Sequence, residues 1–497
     1  MKKEDLLNGI GNIDSKYIEE AENSMKTATV QSEPGRKTAA KRSAVTTLKW
    51  ALATAACICL AVGLVFLLNP VGENNNSKNV AGNTNVTPST ALQTTQTPSG
   101  PTQPIDYTNR VASLSDGFTR QNSETGSLSE EMKKVIANYA FNLFNADLEK
   151  HDENRMVSPY SALSALALCA NGMQGESLKQ LENYIGTDIL SLNRGLYAYA
   201  DYLKSVEGSK FKTANSIWID DRMSVNHDFL QTNADWYDAG VYSGQLAAPE
   251  MVDAINDWCD VNTDGMIPEI VDSIDECTLM MLINAICFDA SWNKQYSDEM
   301  VRAGLFTNAD GTTSNVNLMT SDENTIIYSD NYKSIGFVKE YSGGQYSFVG
   351  LLPDEGQNVK DFASGLTGEK WLELWENREV FSSRKVKLPE FKYETTINLA
   401  EIMKDAGVTA MFAGAGYSGS DFSKMGTCPD GDLFVGGASQ KTVIDVNPKG
   451  TKAAAVTTIT VVTECAPMYL EFTRPFVYAV VDNFTGLPVF LGVVTGL

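Results

Sequence analysis

The chain has 497 residues, 43% of them hydrophobic and 20% charged, and 39 Lys plus Arg against 62 Asp plus Glu give a formal net charge of −23. That balance excludes nucleic acid as a partner, since phosphates demand a basic footprint, and the composition is that of a globular protein, neither disordered throughout nor fibrous. With only two histidines, His151 and His227, a His-rich metal site is excluded and both read as surface residues, while eight cysteines without a CxxC pair argue for buried free thiols over a zinc ribbon, so no metal or cofactor is expected.

Residues 1–49 form a tail in which Ile13, Tyr17, Ile18 and Ala21 fall at helical spacing, enough for a short amphipathic helix. From Trp50 to Leu68 no residue is charged (WALATAACICLAVGLVFLL). As a helix this stretch would be about 28 Å long, close to the hydrocarbon thickness of a bilayer. A cleaved signal peptide fits less well, because 49 residues precede the stretch and Asn69-Pro70-Val71-Gly72 offers no small-x-small cleavage site. Lys26, Arg36, Lys37, Lys41, Arg42 and Lys49 precede it against the single acid Glu33. The expectation is a single-pass membrane anchor over residues 50–68, with a cytoplasmic N-terminus and an extracellular body. Residues 69–127, rich in Asn, Thr, Ser, Gln, Pro and Gly, then read as a disordered stalk with a reach on the order of 40 Å.

Residues 128–497 carry the remaining elements and a formal charge of −24, which favours solubility and basic partners. Ser127 with Glu130 spells a capping box that opens a helix with Met132, Val135, Ile136, Tyr139 and Leu143 on one face. Ser158-Pro159 is a second helix start, leading into the apolar run Ala162–Ala170. Leu279–Phe288 and Tyr346–Leu352 read as buried strands, and Phe476–Val481 with Val489–Val494 as a hairpin around Asp482–Gly486. Early helices followed by strands without regular alternation give an α+β class with large antiparallel or mixed sheets. Gly414, Gly416 and Gly419 spell GxGxxG, but helical spacing precedes them and no apolar helix follows, so they read as a surface loop and not a dinucleotide cradle.

Residues 450–463 (GTKAAAVTTITVVT) end in eight consecutive β-branched residues and intrinsically favour a strand. In strand alternation Thr451, Ala453, Ala455, Thr457 and Ile459 share a face, with Lys452 on the other. Taken alone, the stretch reads as a finished interior strand.

Six separated segments, in order, resemble the serpin family. Ser158-Pro159-Tyr160-Ser161-Ala162-Leu163-Ser164-Ala165-Leu166 is similar to its SP-x-S-I-x-x-AL segment, and Ala214-Asn215-Ser216-Ile217-Trp218 to its AN-x-x-W strand. Ile255-Asn256-Asp257-Trp258 with Thr263-Asp264-Gly265-Met266-Ile267, Leu282-Ile283-Asn284-Ala285-Ile286-Cys287-Phe288 with Trp292, Leu388-Pro389-Glu390-Phe391-Lys392 and Arg474-Pro475-Phe476 complete the series. From residue 128 onward the chain therefore looks like a serpin of bacterial type carrying an N-terminal anchor. The resemblance implies the serpin fold, with early helices, large mixed sheets and an exposed reactive loop near the C-terminus.

The resemblance also assigns roles. Gly450, Thr451, Ala453, Ala454, Ala455 and Thr457 match the hinge of the reactive loop. Held outside the sheet, such a β-prone segment stores free energy that insertion releases. The implied mechanism is suicide inhibition of a serine or cysteine protease, which cleaves the loop and is trapped as a covalent acyl complex when the hinge inserts. Counts from Gly450 and from Pro475 both put the reactive bond at Glu464-Cys465. Glu464 suggests a Glu-preferring protease, and a slip to Thr463 or Val462 an elastase-like one. Ser158, Ser161, Asn284 and Gln440 match the shutter beneath the sheet, Gln440 standing where many members have histidine, and Trp292 matches the breach where insertion begins. Pro448 in place of the usual hinge glutamate, and the bulky Val456, would slow insertion. A non-inhibitory binding module or protease substrate is thus the alternative. A hydrolase built on paired carboxylates finds no supporting spacing, and the protein is expected not to be an enzyme.

Overall fold

The computed structural model describes residues 58–70, 112–114, 117–121, 127–205, 210–329, 333–413, 419–429, 431–449 and 469–497. The elements run β1 (Ile58–Pro70), β2 (Ala112–Ser113), α1 (Glu130–Leu148), β3 (Arg155–Val157), α2 (Pro159–Ala170), α3 (Gly175–Ile185), α4 (Ile189–Ser205) and β4 (Lys210–Asp220). Then follow β5 (Ser224–Val225), α5 (His227–Tyr237), β6 (Gly240–Gly244), α6 (Pro249–Asn262), β7 (Met280–Ala290), β8 (Val301–Thr307), β9 (Thr313–Ser329), β10 (Ser334–Glu340) and β11 (Tyr346–Pro353). The remainder is α7 (Val359–Ser364), α8 (Gly368–Glu376), β12 (Glu379–Pro389), β13 (Phe391–Asn398), α9 (Leu399–Asp405), β14 (Gly426–Thr427), β15 (Leu433–Val446), β16 (Tyr469–Glu471), β17 (Phe476–Asp482) and β18 (Pro488–Val494). This is the expected α+β fold.

A seven-stranded sheet has the order β13-β15-β1-β7-β4-β6-β2, and a nine-stranded one β16-β12-β9-β10-β11-β17-β18-β3 with β8 on β9. The first, the central sheet, is covered on both faces. On one side lies α2, all of whose residues are buried. On the other, α6 contributes Met251, Ile255 and Trp258 to a separate apolar cluster with Trp218, Met281 and Ile283. Burial on both faces is why β7 reads as an almost unbroken apolar run, where a strand with one wet face would alternate. The hairpin of β17 and β18 is buried throughout, as expected.

Three expectations need correction. The capping serine of α1 is Ser129, whose Oγ accepts from the Met132 N–H at 3.1 Å, and not Ser127. The stalk is not polar filler up to residue 127: Ala112–Ser113 pairs with the sheet-edge strand β6, Phe118 packs its ring on His227, and the Arg120 guanidinium lies 3.9 Å over the Tyr197 ring. The docked piece carries Leu114 and Phe118, a local signal lost in the average composition of a long segment.

The third correction concerns the apolar stretch expected as a membrane helix. Over its described part it is a strand: β1 lies in the middle of the central sheet, antiparallel to both β7 and β15, while residues 50–57 lie outside the described residues. No helix among the described residues is long and apolar enough to cross a membrane. A charge-free run satisfies a strand buried on both faces as well as a membrane helix, so hydropathy does not separate the two. The tail helix around Ile13–Ala21 and glycines 414 and 416 of the GxGxxG stretch also lie outside the described residues.

His151 is partly exposed and His227 exposed, as expected, and Cys169 and Cys259 are buried free thiols while Cys277 is exposed. Beneath the strands, Arg155 forms a two-pronged ion pair with Asp147, Nε to Oδ2 at 2.6 Å and Nη2 to Oδ1 at 2.7 Å, and also donates to the Thr396 carbonyl. Both partners are at most 6% exposed. Arg155→Met would strand the Asp147 carboxylate in an apolar setting, a loss of about 3–5 kcal/mol. The expected outcome is a clearly lowered urea midpoint at neutral pH, and an unchanged midpoint would contradict the assigned pair.

Candidate functional site

Because β1 is antiparallel to both neighbours, β7 and β15 run parallel to each other with one strand between them. Halfway along, Leu64 of β1 stands opposite Asn284 of β7 and Gln440 of β15. Both of these polar side chains are fully buried. Buried amides must find partners, and these find them in the layer beneath the sheet.

On the β15 side, the Gln440 carboxamide accepts from the Ser158 N–H and donates to the Ser158 carbonyl, both at 3.0 Å. The Ser158 hydroxyl is not a helix cap: it donates to the Val489 carbonyl of β18 at 3.1 Å. Two residues on, Thr442 donates to the Met156 carbonyl at 3.1 Å. On the β7 side, Ser161 donates to Asn284 Oδ1, Asn284 Nδ2 donates to Asn215 Oδ1 at 2.8 Å, and Asn215 Nδ2 donates to the Tyr237 carbonyl at 2.8 Å. Ser158, Ser161, Asn284 and Gln440, picked out from the sequence as a shutter, are thus brought together around the start of α2. Asn215, Thr442 and Tyr237 complete the network; Asn215 belongs to the AN-x-x-W segment, but nothing in its spacing shows its partner.

At the end of the sheet where β15 finishes, Trp292 donates from its indole Nε1 to the Asn447 carbonyl at 3.0 Å, and the Tyr296 N–H donates to the Pro448 carbonyl at 3.0 Å. Trp292 stacks on Tyr341, with ring centroids 4.7 Å apart. Over Trp292 and Tyr296 lies the Lys339 ammonium, 5.4 and 4.5 Å from the two ring centroids, paired with Glu323 at 2.7 Å. Burial holds the Lys339 amine below its usual range and pushes the Tyr341 phenol well up. Trp292 thus lies at the end of the sheet where β15 finishes, while Lys339, Glu323, Tyr296 and Tyr341 were not legible as a group. They come from two connecting segments and two strands whose adjacency only the fold creates.

Past Lys449 the hinge residues Gly450, Thr451, Ala453, Ala454, Ala455 and Thr457 and the bond Glu464-Cys465 lie outside the described residues. The chain is described again from β16, which pairs parallel with β12 in the other sheet. There Lys387 binds Glu471 at 2.7 Å, the Phe472 N–H donates to the Lys387 carbonyl, and Arg474 donates to the Pro353 carbonyl. Both ends of the intervening segment are therefore pinned, one at each sheet.

A family model described as serpin (serine protease inhibitor) matches residues 134–496. Iripin-5 of Ixodes ricinus is 29% identical over 388 residues, 74% of this chain and 95% of the relative. The native-state crystal structure of Tengpin, a thermophilic serpin, superposes with a TM-score of 0.71 at 35% identity and covers 78% of this chain and 100% of Tengpin. Thyroxine-binding globulin in complex with thyroxine superposes with a TM-score of 0.65 over 74% of this chain and 99% of its own, but at 21% identity it shares the fold alone. The chain belongs to the serpin family, whose fold its sheets and helices have.

Lys339→Met alone would leave Glu323 with little water and no partner, at a cost of about 3 kcal/mol, whereas the double variant Lys339→Met with Glu323→Leu would recover most of that loss. Urea unfolding of the four proteins of the cycle checks this, and additive single losses would contradict a coupled pair.

Proposed function

We propose that this protein is a bacterial-type suicide inhibitor of serine proteases, with cysteine proteases as a second target class, acting by cleavage of the loop between Gly450 and Cys465 and insertion of its hinge into the central sheet. The observation that carries the reading is the geometry around β15. The strand ends beside Trp292 and Tyr296, and a chain turning back there would run antiparallel to β15 between it and β7. The hinge sequence has the small residues and β-branched character such a strand requires. Inserting it after cleavage would drag an attached acyl-enzyme along and distort its active site before water could release it. Glu464 would enter the primary pocket of a Glu-preferring protease, and Thr463 or Val462 that of an elastase-like one.

The tether belongs to the same proposal. Residues 50–68, when outside the sheet, would anchor the chain as a single-pass segment with the basic tail in the cytoplasm and the serpin body outside. The second reading, a non-inhibitory serpin-fold module, is favoured by one feature: the Pro448 carbonyl is held by Tyr296 at the hinge, and its fixed φ opposes the turn insertion needs.

The full chain incubated with Glu-specific and elastase-like proteases should give an SDS-stable complex and a released fragment whose N-terminal residue is Cys465. Cleavage with every protease left active would establish the second reading. Thr457→Arg places a charge on the face the hinge must bury, where desolvation costs several kcal/mol. That variant should be cut at the same bond and the same rate but form at least tenfold less complex, seen by gel densitometry. Undiminished complex would contradict insertion of this hinge.

A further inference from the structure

The slot that the proposed mechanism needs is occupied. β1 pairs with β7 from Ile58 opposite Ala290 to Leu68 opposite Met280, and with β15 from Ala61 opposite Val443 to Pro70 opposite Leu433, with one irregularity between Leu67 and Leu68. Its first residue stands at the Trp292 end of the sheet and its last at the far end. That is the direction in which a segment turning back from Val446 would also have to run. Two segments of one chain therefore fit the same place, in the same orientation, with hydrogen bonds to the same two strands.

They cannot share it. Strands in a sheet lie about 4.8 Å apart, so the space between β7 and β15 admits one. Both candidates are suited to it for different reasons: residues 58–68 because none carries a charge, residues 450–463 because they are small and then β-branched. The backbone groups of β7 and β15 that face the gap are paired by whichever strand is present, and with neither in place the two parallel strands can close on each other.

We infer that β1 is an intramolecular plug, a pseudo-insert that holds this serpin in a closed state in which its own hinge cannot enter the sheet. Insertion then requires β1 to leave. Because residues 50–68 include most of β1, occupancy of the slot and a membrane-spanning state of this stretch exclude one another: the anchored chain leaves that place to the hinge, and the plugged chain has no anchor. The inference deepens the inhibitor reading and rests on it for its consequence, but not for its test.

The test uses the full chain and a fluorescent synthetic peptide with the sequence of residues 450–462, with no protease present. Val62→Asp combined with Val65→Asp puts charges at positions three apart, so that one meets the core whichever face β1 turns towards it, and so expels β1. The variant should take up the peptide at least tenfold faster than the unaltered chain, seen as co-migration on a native gel. Equal uptake by the two proteins, fast or slow, overturns the inference. Amide hydrogen exchange of the unaltered chain gives a second readout that does not depend on the variant folding. Residues 60–68 should exchange as slowly as residues 282–288 of β7, and exchange at the rate of an unstructured chain overturns the plug. A chain that inhibits no protease can still pass both measurements, and a working inhibitor can fail them, so the two readings are separable.

Discussion

Two strands set the problem that the rest of this molecule solves. β7 and β15 are parallel, lie one strand's width apart, and turn backbone donors and acceptors toward the strand between them. Buried peptide groups must be paired, and an antiparallel strand starting at the Trp292 end pairs both sides at once. The fold thus specifies a slot and a direction of entry more strictly than it specifies an occupant. In this chain the occupant is β1, a segment that lies before the matched family region altogether.

The polar networks make sense against that constraint. Each half of the sheet is tied separately to the layer below: β15 through Gln440 and Thr442 to the Ser158 backbone and the Met156 carbonyl, and β7 through Asn284 to Ser161 and onward to Asn215 of β4. None of these side-chain bonds joins β7 to β15 across the gap. Hydrogen bonds are directional and short-ranged, so the halves can move apart while each keeps its own partners. At the entry end the arrangement is the opposite. Trp292 and Tyr296 fasten the carbonyls of Asn447 and Pro448, and the Lys339–Glu323 pair closes over their rings. Buried charge pairs contribute little net stability but penalise any geometry that separates them.

How much of this was legible in the sequence follows from which signals are local. The start of α2 at Ser158-Pro159, the double burial of β7 and the closing hairpin could be read because proline position and apolar runs report directly on their own surroundings. The first cap was misplaced because two serines, Ser127 and Ser129, each precede an acidic first turn, and only backbone geometry chooses between them. Gln440, Ser158, Ser161 and Asn284 were found through resemblance; their hydrogen bonds cross more than a hundred residues of sequence and leave no spacing behind. Lys339 and Glu323 were missed for the same reason. The apolar stretch before the body was the largest divergence: a run without charges measures only the absence of water, and a sheet interior and a bilayer supply that absence equally well.

One slot has two claimants, and amide hydrogen exchange of the full chain before and after a single cut within residues 458–466 tests that most directly. A reciprocal change is expected: residues 60–68 protected before the cut and exposed after it, residues 451–457 the reverse, and β7 and β15 protected throughout. Residues 60–68 and 451–457 keeping the same protection in both states would contradict it.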